Sequence, residues 1–212
     1  MALSTLLEQG IGNQLEFLVT VNDQKKLAQT ICSFANTVGG SVLIGVKENG
    51  KITGIDPSAE FDVIQNAVER YCLPIVELDI KTWQEDRHLV LQITVTKGEE
   101  QIRCLSDDGT YKAYIRVDTE TILANKIIIG MWKFQQKEFP CPTEFSKETN
   151  LVIHWLEGSE WTSISQLYKK DELAKKLIDT ILMQLLCWNI IHLVAKEGHL
   201  GYKKTAVNSL AL

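Results

Sequence analysis

The residues best equipped to meet a phosphate chain lie between Tyr111 and Val117. Side-chain alternation along a strand puts Lys112, Tyr114 and Arg116 on one face and Tyr111, Ala113, Ile115 and Val117 on the other. Two cations with an aromatic ring between them can pair with phosphates and stack on a base. On an ordinary solvated sheet face the same side chains would pair with carboxylates instead, Arg116 with Glu16 for example. Arg87 and Arg103 are further candidates for this surface. A second site candidate is Asn36 with Gly39 and Gly40. Backbone N–H groups in a glycine turn can cradle an anion; the alternative is a helix stop that lets the helix pack closely on the next strand. His154, His192 and His199 lack metal-ligand spacing, so a structural role is expected for each. The five cysteines (Cys32, Cys72, Cys104, Cys141 and Cys187) are odd in number and form no CxxC pair. Reduced core thiols in a cytoplasmic protein are therefore expected, with no disulfide framework and no zinc site.

These residues need a scaffold, and the hydrophobic periodicity supplies one. Leu15, Phe17, Val19 and Val21 alternate as a strand. Asn22 or Asp23 can cap a following helix through Leu27, Ile31, Phe34 and Ala35, which Gly39-Gly40 ends. Ser41 to Val46 reads as a central strand, Asn49-Gly50 as a hairpin turn into Lys51 to Ile55, and Pro57 as the opening of a second helix. Strands are expected at 75–82, 89–96, 102–105 and 111–117, then a helix from near Thr121 to about Lys137. Phe139-Pro140-Cys141-Pro142 breaks the chain, since closely spaced prolines continue neither helix nor central strand. Beyond it the spacing predicts three helices and then two short strands joined at Gly198. That is the order of a winged helix.

The 212 residues suit one domain of ordinary size and a small one. We expect an α+β protein with domain boundaries at 1–138, a proline-containing linker at 139–144 and a winged-helix-like module at 145–212. Hydrophobic residues at 45% and charged residues at 23% describe a globular chain. No apolar run reaches the roughly 18 residues that cross a bilayer, and no basic-then-apolar leader opens the chain, so neither membrane nor secretory signal is expected. The net charge of −5 lowers the expectation of strong nucleic-acid binding, although a local basic stripe suffices. From Pro140 onward eight Lys/Arg offset eight Asp/Glu. In that module the third helix should face a DNA groove, with Lys175 and Lys176 among its polar positions and Lys203 and Lys204 on the wing.

Four short segments occur in a fixed order: Leu15-Glu16-Phe17; Phe34-Ala35-Asn36-Thr37-Val38-Gly39-Gly40; Leu43-Ile44-Gly45-Val46 with Gly54; and Tyr114-Ile115-Arg116-Val117. Together they resemble the Schlafen AlbA-like domain, also labelled divergent AAA in bacterial proteins, over roughly Leu6 to Ala124. The resemblance implies a mixed β-sheet with packed helices. It also implies a DNA-binding or transcription-regulating role, often with a winged helix behind the domain. Some relatives carry an ATP-binding label, but no Gly-x-x-x-x-Gly-Lys-Ser/Thr loop is present to hold the phosphates.

Nuclease members of the family use three carboxylates, whose oxygens hold a divalent cation that activates water. The resemblance places Glu16 at one of these positions and Glu48 near another, while Ile11 and Leu18 stand where the family has an acid and a lysine. A hydrophobic side chain ligates no hard cation, so Glu16 and Glu48 are remnant candidates only. Glu8 lies close in sequence at the wrong spacing. The expectation is a DNA-binding transcriptional regulator without catalysis, metal or cofactor, with RNA as a second nucleic-acid partner and a homo-oligomer as its assembly. Two alternatives stand beside it. One is a nuclease using Mg or Mn with a reduced carboxylate set; the other is a non-catalytic protein-interaction or dimerisation module.

Overall fold

A computed structural model describes residues 2–135 and 140–206. The expected helix end near Lys137, and Phe139 at the head of the linker, lie outside the described residues. The chain divides into two compact units, Met1–Leu123 and Ala124–Leu212.

The first unit begins with α1 (Leu3–Gln9), β1 (Leu15–Leu18), α2 (Gln24–Ala35) and β2 (Gly40–Ile44). Asp23 caps α2 by accepting from the backbone N–H of Lys26 at 3.0 Å. The expected Asn49-Gly50 hairpin forms its turn, but the return is a single bridge from Val46 to Ile52 rather than a strand. Helix α3 (Pro57–Tyr71) follows, with proline in its first turn and Asp56 as cap. Then come β3 (Cys72–Leu73), β4 (Asp79–Glu85), β5 (His88–Val95), β6 (Arg103–Leu105), β7 (Tyr111–Lys112), β8 (Tyr114–Val117) and β9 (Glu120–Leu123).

Strands β1, β2, β5 and β4 form one sheet in that order, parallel between β1 and β2 and antiparallel elsewhere. This is the mixed α+β architecture the sequence suggests. Alternation along β2 explains how both sheet faces fill. Val42 and Ile44 join the core beneath α2 and α3, whereas Leu43 joins Leu15, Phe17 and Val90 in a smaller core under α1.

Two sequence expectations change here. The strand foreseen from Tyr111 to Val117 is divided at Ala113: β7 pairs with β6, and β8 pairs with β9. The helix expected to start near Thr121 begins at Lys126 instead, because Asp118 and Thr119 form a two-residue turn that returns Glu120–Leu123 as a strand. Asp118 adopts a left-handed φ of 53°, which an aspartate tolerates in such a turn.

The second unit comprises α4 (Lys126–Gln135), α5 (Lys147–Leu156), β10 (Thr162–Ser163), α6 (Ile164–Tyr168), α7 (Lys175–Cys187), β11 (Ile191–Lys196) and β12 (His199–Lys204). Asn125 caps α4 by accepting from the N–H groups of Ile127 and Ile128 at 2.9 and 3.2 Å. This helix packs on α7, so it groups with the second unit although its sequence sits before the prolines. The approach is close at Gly130, where a Cβ would lie 2.5 Å from the Met183 sulfur. Ser163 opens α6 with a capping box that includes Gln166. The three expected helices and hairpin are all present, and β10 adds a third strand in the order β10-β12-β11. Val152, Leu156, Leu167, Ile178, Leu182, Leu185 and Tyr202 are fully buried in this unit.

Candidate nucleic-acid interface

The glycine turn after α2 is wired inward. Asn36 donates to the carbonyls of Ile102 and Tyr114 at 2.8 and 2.9 Å and accepts from the Ile102 N–H at 2.8 Å. One side chain thus ties the end of α2 to the start of β6 and of β8. The Gly39 N–H donates to the Phe34 carbonyl at 2.9 Å, so it closes the helix and does not aim at an anion. Gly39 has a φ of 79°, and a Cβ there would lie 2.8 Å from the Val95 carbonyl. At Gly40 a Cβ would press on the Phe34 ring at 2.7 Å. These residues make a helix stop and a tight crossing, the second of the two readings open from sequence.

Arg116 is likewise an internal residue. Its side chain is 1% exposed and pairs with Glu16 at 2.8 Å, with Nε donating to the Gly12 carbonyl at 3.1 Å. Its other guanidinium nitrogens reach Thr121 Oγ1 and the Leu15 carbonyl, and the group lies 5.3 Å from the Phe34 ring centroid. The expectation that Arg116 faces phosphate is therefore corrected, because its side chain is buried and all three of its nitrogens reach acceptors inside the unit. Tyr114 is half-buried and accepts from Gln29. Lys112 pairs with Asp108 at 2.6 Å, and that bond, with two from Thr110, holds the Asp108 carboxyl well below its usual range. The division at Ala113 removes the common face on which these three side chains were expected to stand.

The carboxylate remnants are placed differently. Glu16 is engaged by Arg116, while Glu48 is exposed at the Asn49-Gly50 turn, and Glu8 is exposed on α1. Among the described residues no three His, Cys, Asp or Glu side chains cluster in a way that could hold a metal ion. Arg87 sits at the tip of the β4–β5 hairpin and Arg103 on β6, so they belong to different sheets. On the second unit's hairpin, Lys203 pairs with Glu160 and Lys204 with Glu157, the latter at 2.5 Å.

Cations that sequence reasoning weighed less stand more openly. Lys169 and Lys170 close α6, Lys175 and Lys176 open α7, and all four are exposed. Among the described residues none of the four makes an ion pair. Lys126 and Lys175 lie 5.3 and 5.6 Å from the Tyr168 ring centroid. Beneath them the buried Asp179 accepts from both the Tyr168 hydroxyl and the Lys126 ammonium. Its hydrogen bond raises the Lys126 pKa above the ordinary value. Two acids, Asp171 and Glu172, share the corner. The signal available in sequence was the doubled Lys-Lys on either side of Asp171-Glu172; recognising it needed the knowledge that the two doublets flank one corner.

Residues 12–125 match the family described as Schlafen, AlbA_2. The chain belongs to that family. The match takes in Glu16, the Asn36 turn, β2 and Arg116, the same residues whose bonds hold the first unit together. No curated protein matches the chain. Among solved structures, the DIP2311 protein from Corynebacterium diphtheriae is similar over 79% of this chain at 16% identity and a TM-score of 0.46. The chain spans 32% of that protein's length. The N-terminal domain of a RecG-related protein from Nitrosomonas europaea is similar over 55% of this chain and 88% of its own, at 15% identity and a TM-score of 0.43. Among the described residues no helix is long and apolar enough to cross a membrane.

Proposed function

We propose that this Schlafen AlbA_2 protein binds duplex DNA through its second unit and acts as a transcriptional regulator. The observation that carries the reading is the α6–α7 corner. There, four lysines without ion pairs among the described residues gather on a chain whose net charge is −5. Helix, strand, helix, helix and a two-stranded hairpin, with β10 pairing β12, follow the element order of a winged helix, and in this reading α7 serves as the recognition helix. Lysines at both ends of the corner can neutralise successive phosphates and release their counterions. The Asp179 bonds fix Lys126 and Tyr168 beneath that corner, which holds the binding surface in shape. The proposal includes self-association of the regulator and requires neither metal nor cofactor. Membership of the AlbA_2 family supports a nucleic-acid partner without specifying which one.

Fluorescence anisotropy with a labelled duplex, read across a salt series, tests the reading. The double variant Lys175→Ala/Lys176→Ala should bind more weakly on every sequence. It should also reduce the logarithmic salt slope by about 2, roughly 0.9 for each phosphate that is no longer neutralised. Circular dichroism should be unchanged and melting should move little, since both side chains are exposed and Lys175 loses only its exposed contact with the Tyr168 ring, worth about 0.5–1 kcal/mol. Wild-type protein that fails to bind any duplex at low salt would overturn it.

A further inference from the structure

The short sheet β3-β6-β7 presents a second surface on the first unit. Its register pairs Cys72 with Cys104, Leu73 with Arg103, Cys104 with Lys112 and Leu105 with Tyr111. Directly opposed residues share a face, so Leu73, Arg103, Leu105 and Tyr111 stand on one side and Cys72 and Cys104 on the other. Cys72 and Cys104 are buried in the core beneath α2 and α3. The opposite side meets water: Leu73 is 51% exposed and Tyr111 42%.

Arg103 and Tyr111 are diagonal neighbours, because Tyr111 opposes Leu105, two residues on from Arg103. Such neighbours have Cα atoms about 7–8 Å apart, within reach of an aromatic ring and a long cation. Arg103 is exposed, and among the described residues its side chain makes no hydrogen bond or ion pair. Three other cations of this unit behave differently: Lys25 pairs with Asp107, Lys112 with Asp108, and Arg116 with Glu16.

We infer that this face binds single-stranded nucleic acid, with a base stacked on Tyr111 and a phosphate held by Arg103. An exposed phenol beside an unpaired guanidinium offers the two contacts a single strand needs, a flat apolar surface and a counter-charge for its backbone. A duplex offers only its charged exterior and keeps its base faces stacked, so it gains nothing from Tyr111 or Leu73. A protein partner or a second copy would have to supply the Arg103 guanidinium with a carboxylate of its own. This inference stands apart from the duplex reading of the second unit, since it uses neither α7 nor the wing.

The experiment titrates the full chain into labelled oligothymidylate and oligouridylate of about 12 nucleotides, within the site size of a small binding fold, at low salt. A labelled duplex runs in parallel. Wild-type protein should bind one or both single strands, and the preferred one identifies the sugar. Tyr111→Ala should weaken that binding by about tenfold, as removal of one stacked base does, while Tyr111→Phe retains it. Arg103→Ala should lower the salt slope for the single strand by about 0.7. Both variants should melt like wild type and keep their duplex affinity, which separates this failure from failure of the α7 reading. Three results would overturn the inference: no single-strand binding by wild type at low salt, Tyr111→Ala binding as tightly as wild type, or Tyr111→Ala changing only the sedimentation coefficient. The last would make the face a protein interface.

Discussion

Arg116 in the first unit and the corner lysines of the second show two opposite uses of a cation. In the first, Arg116 is withdrawn from water and bonded to Glu16, to two backbone carbonyls and to Thr121. In the second, Lys169, Lys170, Lys175 and Lys176 stand exposed without ion pairs among the described residues. A guanidinium suits the first task because it is planar, always charged and able to satisfy several acceptors at once, whereas an ammonium on a flexible stem suits a solvated phosphate contact. The difference teaches where to look for function in this chain. The family motifs around Glu16, Asn36 and Arg116 are largely architectural, and the cations free of ion pairs among the described residues lie outside those motifs.

The sharpest way to break this contrast is Arg116→Ala. Removing one partner of a buried pair leaves the other without its counter-charge, which costs about 3–5 kcal/mol. The Gly12 carbonyl loses its donor in the same step. Urea denaturation should show a destabilisation of that order in the first unit, while duplex affinity of the folded fraction stays unchanged. A variant of wild-type stability with weakened duplex binding would place Arg116 on the binding surface after all.

Those same residues show how far the sequence alone can be read. The order of the four motifs is enough to predict the family, and with it the mixed sheet, because Asn36, Gly39 and Gly40 are required by the backbone geometry of this fold. Helix starts at Asp23 and Pro57 are legible because caps and first-turn prolines act on neighbours two or three residues away. The binding surface is not legible. Alternation through Tyr111–Val117 assumes an unbroken strand, yet Ala113 divides it between two sheets, and no local pattern records that change of partner. By its position before the prolines helix α4 belongs to the first domain, but a glycine in its middle lets it lie closely on α7, a contact between residues over fifty apart in sequence. Neither the pairing of Lys203 with Glu160 nor the freedom of Lys175 follows from charge counting, since both units carry mixed charge.

A smaller effect separates the units by pH. Burial pushes the Cys32 thiol up to about 12 and the Cys104 thiol to about 11, and Cys72 moves in the same direction. All three lie in the first unit's core. A thiol whose folded pKa is raised keeps its proton after the unfolded chain has released its own, so stability falls as pH rises past the unfolded value near 9. The second unit has one such thiol, Cys187, raised by burial, and its other raised groups begin higher: burial raises Tyr202 to about 12, and the Asp179 hydrogen bond raises Lys126 from 10.5. Both again stabilise at lower pH and lose that contribution on further alkalinisation. Calorimetry between about pH 8 and 10 should therefore show the first unit's transition, with three raised thiols against one, moving down further than the second's. Coincident shifts would mean that the thiols are reached by water in the folded state. Thiol labelling gives an independent reading: exposed Cys141 should react in the native protein, and Cys32, Cys72 and Cys104 only on unfolding.

The finest test of the contrast lies within the second unit, at Lys203. Its ammonium is paired with Glu160, whose side chain is 86% exposed, so the pair is solvated on one side and worth about 0–1 kcal/mol. Lys203→Ala should thus shift the melting temperature by little. Its effect on DNA decides more. If paired lysines stay with their carboxylates, duplex affinity and salt slope remain those of wild type, and only the corner lysines carry the contact. If the slope falls by about 1, Lys203 exchanges Glu160 for a phosphate on binding, and Glu160→Gln should then strengthen duplex binding by removing the competing acceptor. That second outcome would make pairing in the free protein a poor guide to which cations bind, and the same Glu→Gln logic would then apply to Lys204 and Glu157.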